Sequence, residues 1–387
     1  MKVRSVTLGN NITWPLSAGE FGKAARFFGR AKQLFAAAGI EVQTVRLATQ
    51  PLATMRAAPV ELARAVERAC RDAEIGYCSL GPAPVDAGLI ADLIGATESV
   101  FATLTVASEG AVEMPAVRAA ATVVHRVATN TELGFGNLRF AALAHCGPNI
   151  PFFPAAYHDG GHPKFTLALQ CADLVVEAFR GAAGAQEAGH RLSAALVEAD
   201  GRLYPVAKQL EREFAIEYLG ADFSPAPFPS EAESISSAFR EAGLERFGAH
   251  GTLHLAALIT STIKSAAVHS WGFNGLMLPV LEDAGLAAGT AGPDFTVDDL
   301  LLYSAVCGTG LDTVPLPGNV TEDELAGIIL DLATMSVALN RKPLTARLLP
   351  VPGKGAGERT TYNFEYFANG TVLPVKRLSP AGLLQRA

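Results

Sequence analysis

Short runs of apolar and β-branched residues alternate along the chain with longer stretches in which apolar residues recur every three or four positions. Val3–Leu8 is a run of the first kind, and Gly19–Ala38 follows it with Phe21, Ala24 and Phe28 at helical spacing. Short β-branched runs are typical of strands, and a period of 3.6 residues is typical of helices. The chain therefore begins with the pattern of a strand followed by a helix, the first half of a βαβ unit.

The same pattern continues along the chain and predicts about ten strands separated by helices. Helices of this length between strands favour parallel pairing. Because no linker or change of composition divides the pattern, we expect one α/β domain over residues 1–387 with a closed sheet. The predicted strands are Val3–Leu8, Glu41–Leu47, Ile75–Leu80, Ser99–Val106, Leu138–Ala144, Phe165–Gln170, Ala215–Phe223, Asn274–Val280, Leu311–Pro315 and Thr345–Pro350.

Two regions depart from this alternation. Residues 146–164 are rich in Pro, Gly and aromatic residues and have no helical period, so we expect a long functional loop there. Residues 360–376 contain an Asn-Gly turn dipeptide and are expected to form a C-terminal β-hairpin. Capping-box patterns at Ser230 and Thr321 predict the starts of two helices.

Composition narrows the class of protein. Hydrophobic residues make up 49% of the chain and charged residues 18%, as expected for a protein with a large core. The net charge of −7 disfavours nucleic-acid binding because it repels a phosphate backbone. No apolar run is long enough for a membrane span, and the first residues lack the apolar core of a signal peptide. Five cysteines without a CxxC pair suit a reducing compartment, so a cytoplasmic location is expected. Alanine-rich helices favour a homo-oligomer.

Common catalytic and nucleotide-binding motifs are absent from the sequence. It contains no GxxxxGK[ST] loop, no GxGxxG after a strand, no HExxH and no GxSxG. Candidate chemistry therefore rests on polar clusters at strand ends, where α/β proteins commonly bind ligands.

Two of these clusters contain histidines. His158 and His162 are four residues apart and could bind a divalent metal ion, or His158 alone could act as a general base. The alternative is a surface loop with incidental histidines. His250 precedes Gly251 and Thr252 at the start of a predicted helix, where free N–H groups attract carboxylate or phosphate. The alternative here is an ordinary helix cap formed by Thr252.

Two further clusters are acidic. Glu282 and Asp283 are adjacent carboxylates after a predicted strand, and like charges side by side raise one pKa toward neutrality. They could therefore serve as acid and base, or they could simply occupy a helix N-terminus. Asp222 and Ser224 stand at the end of another strand before two prolines, where they could position a substrate or cap a turn.

The last cluster lies near the end of the chain. Cys307 is either a reactive thiol or a small buried residue. Asp312 lies at the start of a predicted strand and is a candidate for positioning substrate. Arg341 and Lys342 supply cations for an anionic substrate, or they occupy a solvated helix end.

Taken in order, the strings DFSPAP, GAHGT, LPVLED, CGTGLD and NRKP resemble an uncharacterised bacterial and archaeal family, domain of unknown function 711. VRSVTLG and PFFPAAYH also match its pattern, and the resemblance covers roughly Val3 to Lys376. The family is similar in fold to the ten-stranded α/β barrels of pyruvate formate-lyase and anaerobic ribonucleotide reductase, so the resemblance implies such a barrel. Those enzymes carry a glycine in an Arg-Val-x-Gly-aromatic motif that this chain lacks, so glycyl radical chemistry is not expected.

These observations favour an enzyme that acts on a small anionic metabolite by general acid–base chemistry at the barrel mouth. His158, His250, Glu282 and Asp283 are the predicted catalytic residues. Two alternatives remain open: a metal-dependent hydrolase or lyase that uses His158 and His162, and a metabolite sensor without catalysis. The predicted substrate-binding residues are Asp222, Ser224, Gly251, Thr252, Cys307, Asp312, Arg341 and Lys342.

Overall fold

The computed structural model describes residues 1–292 and 294–377, and the alternating pattern folds there into strands and helices. The strands are β1 Lys2–Gly9, β2 Val42–Ala48, β3 Tyr77–Pro82, β4 Val100–Ser108, β5 Ala111–Val112, β6 Phe140–Ala144, β7 Lys164–Gln170, β8 Glu217–Ala226, β9 Gly310–Pro317 and β10 Leu344–Val351. The α-helices are α1 Ala18–Ala37, α2 Pro59–Asp72, α3 Ala87–Gly95, α4 Met114–Asn130, α5 Ala172–Phe179, α6 Ala185–Phe214, α7 Ile235–Glu241, α8 Thr252–Ser265, α9 Ala284–Gly289, α10 Val297–Ser304 and α11 Glu322–Ala338. Within the described ranges, no helix combines the length and apolarity needed to cross a membrane.

The strands form one ten-stranded mixed sheet in the order β8-β7-β1-β2-β3-β4-β6-β10-β9, with the short β5 paired to β4. β1, β2, β3, β4 and β6 are mutually parallel, as the βαβ pattern predicts. β7 is parallel to β8, and β9 is parallel to β10. Each of these two pairs joins the central parallel strands through an antiparallel pairing, β7 with β1 and β10 with β6. The α/β class is thus confirmed.

The closed barrel expected from the sequence is not confirmed, because the strand ladder ends at β8 and at β9. The segment 268–281 lies beside both edge strands but makes only isolated bridges to them. Ser270 bridges to Ala221 of β8, and Pro279 bridges to Asp312 of β9, each in the parallel sense. The hydrogen-bonded strands therefore form an open sheet and not a closed barrel.

The predicted strand Asn274–Val280 is wrong because side chains take the backbone donors of this segment. The N–H groups of Phe273 and Asn274 donate to the carboxylate of Asp222 at 2.9 and 3.1 Å. The N–H of Gly275 donates to Ser224 Oγ at 3.1 Å. Donors bonded in this way cannot join a strand ladder. Each of the other nine predicted strands overlaps an observed strand.

The expected C-terminal hairpin forms only in outline. A single antiparallel bridge joins Arg359 to Thr371, and residues 360–376 contain no strand. The side-chain oxygen of Asn369 accepts a hydrogen bond from the N–H of Tyr362 at 2.7 Å. Seven residues separate the two, so the chain forms a wider loop here than a two-residue turn. The side chain thus takes a donor that a hairpin ladder would need.

The two capping boxes have different outcomes. At Thr321, both reciprocal hydrogen bonds with Glu324 are present at the start of α11. The helix predicted from Ser230 instead begins at Ile235, after a single 3₁₀ turn, and Ser234 is its cap.

The sheet is strongly curved. Arg4 of β1 and Arg347 of β10 bind the same carboxylate, that of Glu282, although β2, β3, β4 and β6 lie between the two strands in the sheet. Opposite parts of the sheet therefore face each other across an interior space. The helices cover its outside, where α4 packs between α3 and α11.

Candidate functional site

A cavity lies inside the curve of the sheet. Its volume is about 820 Å³ when the open space at its mouth is included. Side chains from β1, β2, β3, β4, β7, β8 and β10 line it, together with residues from the loop 146–164 and from the C-terminal region. The lining contains three arginines, two carboxylates and six aromatic rings, namely Arg4, Arg46, Arg347, Asp222, Glu282, Tyr77, Phe101, Phe152, Phe153, Phe364 and Tyr366.

Four charged residues form an alternating chain at the inner wall of this cavity. Glu282 accepts from Arg4 on one side and from Arg347 Nη2 on the other, the latter at 2.8 Å. Arg347 Nε donates to Asp312 Oδ1 at 2.5 Å. Glu282 and Arg347 are only 5% and 4% exposed, so these charges are almost completely removed from water. We call Arg4, Glu282, Arg347 and Asp312 the buried ion cluster.

The two carboxylates of the cluster have opposite pKa shifts. Burial alone would raise the pKa of Glu282, but the positive charges of Arg4 and Arg347 outweigh it and hold that pKa below its usual value. Burial raises the pKa of Asp312, and the negative charge of Glu282 adds to the effect against the opposing influence of Arg347. Asp312 Oδ2 is buried and has no hydrogen-bond partner among the described residues, which also favours the neutral acid.

Arg46 differs from the other two arginines because its charge has no counter-ion. Within residues 1–292 and 294–377, no carboxylate oxygen lies within 4.0 Å of its guanidinium. Nε donates to Thr44 Oγ1 at 2.9 Å, and the guanidinium carbon lies 5.7 Å from the ring centre of Tyr77 and 5.2 Å from that of Phe153. Burial and the nearby positive charge of Arg4 lower the pKa of Arg46 to about 10. The charges of Tyr77 and Glu282 raise this pKa by smaller amounts, so Arg46 interacts with Glu282 at a distance but forms no ion pair in this partly dehydrated site.

The aromatic rings form a continuous wall beside these charges. Phe101 packs edge to face against Tyr77 and Phe153, with ring centres 5.5 and 5.2 Å apart. The guanidinium carbon of Arg347 lies 5.4 Å from the ring centre of Phe152. Phe152 and Phe153 belong to the long loop predicted from sequence, which is free of helix and strand over residues 146–163 and contributes directly to the cavity.

The structure brings three of the predicted site residues to the cavity: Asp222, Ser224 and Glu282. Asp312 joins them through Arg347. The Asp222 carboxylate is occupied by backbone donors of residues 224, 273 and 274, so its contacts fix the segment 268–281 rather than leaving an oxygen for a ligand. The turn-forming alternative therefore describes Asp222.

The predicted histidine pair lies elsewhere. His158 is fully buried but does not line the cavity; its Nδ1 lies 3.1 Å from Asn149 Oδ1 and its Nε2 lies 3.1 Å from the carbonyl oxygen of Gly161. Burial lowers the pKa of His158, which favours its neutral form. His162 is exposed. In the described part of the chain, no group of three or more His, Cys, Asp or Glu side chains is arranged to hold a metal ion. The donor set does not fit a divalent metal site at His158 and His162.

The cluster around His250 and the carboxylate of Asp283 lie at helix starts. His250 is exposed outside the cavity, Gly251 has φ +107° as the residue before α8, and Thr252 Oγ1 accepts from the N–H of Gly248 at 3.0 Å. The helix cap expected at Thr252 is not formed, because Gly251 is the cap residue and no side chain caps α8. Asp283 accepts from the N–H groups of Gly285 and Leu286 at 2.9 and 3.0 Å and so caps α9, as its helix-start alternative predicts.

The remaining predicted residues also lie outside the cavity. Cys307 is completely buried, and its sulfur accepts from the N–H of Gly310 at 3.2 Å. Arg341 is exposed and donates to the carbonyl of Glu109 at 3.3 Å. Lys342 Nζ donates to the carbonyl oxygens of residues 304 and 305 at 2.9 and 2.8 Å. Both cations thus contact backbone carbonyl oxygens outside the cavity.

Sequence reasoning missed the three arginines that dominate the cavity. Arg4, Arg46 and Arg347 each stand alone in an apolar strand, in VRSVTLG, VQTVRLA and LTARLLPV. Arginine is almost never buried without a partner, so a lone arginine inside a buried strand is itself a signal. Three such strands in one chain would have predicted a charged interior.

Comparison with known proteins gives the following matches. A family model described as "Uncharacterised ACR (DUF711)" matches residues 1–364. A protein named "UPF0210 protein" from Pyrobaculum arsenaticum is 30% identical over 362 residues, which cover 87% of this chain and 79% of that protein. Proteins of the same name from Desulforudis audaxviator and Clostridium beijerinckii are 30% and 28% identical and cover 83% and 84% of this chain, and 76% and 77% of their own lengths. None of these names states an activity.

Proposed function

The chain belongs to the DUF711 family of uncharacterised proteins, and from the geometry of its cavity we propose that it binds a small anionic metabolite through Arg46. The resemblance of the sequence to this family is thus confirmed, but the description of the family gives no reaction. The observation that carries the proposal is the guanidinium of Arg46, which lines the cavity with no carboxylate beside it. A partly buried cation without an ion-pair partner is costly, and an anionic ligand would offset that cost.

The other charges of the cavity direct an anion to Arg46 rather than to its neighbours. Arg4 and Arg347 already share Glu282, and Arg347 also binds Asp312. Burial raises the pKa of Asp312, which favours its neutral form and so adds to the positive character of the cavity. An anion is therefore attracted by the whole cluster but finds free hydrogen-bond donors on Arg46.

The enzymatic form of the proposal assigns proton transfer to groups that line this cavity. The histidines predicted for that role lie outside it, and Glu282 is held between two arginines, which makes it a weak base. Tyr77 and Tyr366 remain, and burial raises the pKa of Tyr366, so its hydroxyl is a neutral hydrogen-bond donor near pH 7. A sensor would use the same contacts without turnover, so an assay for product separates the two.

We also propose that the segment 268–281 acts as the tenth wall strand of a barrel around the cavity. Two observations support this: its bridges to β8 and to β9 are both parallel, and Met277 and Glu282, in and just after the segment, line the cavity. In this arrangement, Asp222 and Ser224 hold the segment in place of ladder hydrogen bonds.

Ligand-dependent thermal stability tests the proposed anion site. The wild type, Arg46→Met and the control Arg64→Met, an exposed arginine on α2, are heated with acetate, benzoate, succinate, phosphate or sulfate at constant ionic strength. A ligand at about 100 times its Kd stabilises the folded state by about 2.7 kcal/mol. We expect at least one anion to stabilise the wild type and Arg64→Met but not Arg46→Met. The proposal fails if every stabilising anion acts equally on Arg46→Met.

A further inference from the structure

We infer that the cavity selects a monocarboxylate whose body is aromatic or otherwise apolar. This inference rests on the proposed function, and it names the chemical class of ligand for the same site. Three features carry it: the shape of the donor set offered by Arg46, the absence of a second free cation, and the composition of the walls.

The donor set of Arg46 matches one carboxylate. Its Nε is bonded to Thr44, and the rings of Tyr77 and Phe153 lie within 6 Å of the guanidinium carbon. Neither Nη atom has a hydrogen-bond partner among the described residues. A guanidinium held in this way presents two parallel N–H donors, which is the geometry that binds a carboxylate in bidentate fashion.

Among the described residues that line the cavity, a ligand with a second negative charge finds no further cation without a carboxylate partner. Arg4 and Arg347 are bonded to Glu282, and the Glu282 carboxylate itself lines the cavity and repels a dianion. Phosphate sites usually add the N–H groups of a helix N-terminus or a glycine-rich loop. Of the described residues that line the cavity, none lies in an α-helix. The site therefore suits a single negative charge.

The walls suit an apolar body because three of the polar side chains among them are already bonded to the protein. Thr44 Oγ1 donates to the carbonyl of Arg4 at 2.7 Å, and Gln43 donates to Gln170. Ser224 Oγ accepts from the N–H of Gly275 at 3.1 Å. A sugar acid would bury hydroxyl groups with few partners, which costs about 1–3 kcal/mol for each unsatisfied group. An aromatic or branched aliphatic body would instead pack against the ring wall.

Binding measured by titration calorimetry tests this inference with matched probes. Benzoate and phenylacetate carry one carboxylate and a ring, acetate lacks the ring, gluconate replaces it with a polyol, benzamide lacks the charge and phenyl phosphate carries a second charge. For the wild type, we expect benzoate or phenylacetate to bind at least about tenfold more tightly than acetate, gluconate, benzamide or phenyl phosphate. Arg46→Met should lose benzoate binding to the level of benzamide. The exposed control Arg64→Met should retain the preference.

The outcomes separate this inference from the proposed function. If gluconate or phenyl phosphate binds more tightly than benzoate and depends on Arg46, the cavity binds anions but the inferred ligand class is wrong. If no probe binds in a way that depends on Arg46, both the inference and the proposed function are wrong. The comparison of probes on the wild type alone decides the ligand class, so it stands even where a variant folds poorly.

Discussion

Glu282 holds the buried ion cluster together, so replacing it with glutamine should destabilise the protein strongly. Glutamine has nearly the same shape as glutamate but no charge. The substitution leaves Arg4 without a counter-ion and leaves Arg347 with Asp312 alone. Because Arg347 is only 4% exposed, water cannot replace the lost carboxylate. The native state therefore bears the cost of a buried, uncompensated charge.

The size of the effect follows from burial. Removing one partner of a buried ion pair costs about 3–5 kcal/mol. Arg347 keeps its bond to Asp312, and the Arg4 side chain is 18% exposed, so we expect the lower end, about 3 kcal/mol. The unfolding entropy is about 2.1 cal/mol/K per residue, or about 0.8 kcal/mol/K for 387 residues. The melting temperature should therefore fall by about 4 °C.

The stability lost in Glu282→Gln should also depend on pH in a defined direction. The pKa of Glu282 is lower in the folded protein than in the unfolded chain, so its contribution is complete above the unfolded value of about 4.3. It disappears as the pH falls through the lowered folded value. The difference between wild type and Glu282→Gln should be full at pH 7 and should shrink in acid.

Urea unfolding at pH 7 measures this prediction, with Glu213→Gln as the matched control. Glu213 also binds an arginine, with Arg30 donating at 2.7 and 2.9 Å, but these side chains are 34% and 37% exposed. Exposed pairs contribute little, so the control should lose far less than Glu282→Gln. Equal losses for the two variants, with unchanged urea dependence, would refute the reasoning that Glu282 is charged and desolvated in the folded state.

Three further predictions concern the surroundings of the cavity. Gly272→Ala should cost more than 2 kcal/mol relative to Gly353→Ala in urea unfolding, because both glycines have positive φ but only the Cβ at residue 272 would lie 2.4 Å from the Asp222 carboxylate; equal costs would contradict the close approach. Asp283→Asn should lower stability by about 2 kcal/mol through weakened capping of α9 and leave benzoate binding unchanged, and a loss of binding with normal stability would return Asp283 to the site. The pKa of Asp312 is raised in the folded protein, so ionising this group lowers the melting temperature as the pH rises from about 4 through the folded pKa. Asp312→Asn should remove this decline in melting temperature, and an unchanged pH profile would show that Asp312 is not the titrating group.

Most of the sheet could be predicted from sequence because each strand carries its own local pattern. Nine of the ten predicted runs, Val3–Leu8 among them, overlap observed strands. Asn274–Val280 has the same kind of pattern but is not a strand, because Asp222 and Ser224, some fifty residues earlier, take its backbone donors. Competition from side chains distant in sequence leaves no trace in a local pattern.

The site was predictable only in part, for a related reason. The expectation that ligands bind at strand ends correctly selected Asp222 and Glu282 as cavity residues. The cavity also extends to the middle of the strands, where Arg46 and Arg347 lie. His158 has the residue type expected of a general base, yet it is completely buried outside the cavity, with Asn149 Oδ1 and the carbonyl oxygen of Gly161 each 3.1 Å from a ring nitrogen. Residue type and loop position do not reveal which side chains are already satisfied.

Binding of a ligand carboxylate by the guanidinium of Arg46 inside the cavity can be observed by co-crystallisation with 4-bromobenzoate, because anomalous scattering locates the bromine independently of the protein. We expect one strong bromine peak among the rings of the cavity, with the carboxylate within hydrogen-bonding distance of the Arg46 Nη atoms. A cavity without the ligand, with bromine peaks only on the outer surface or at the start of α8, would contradict it.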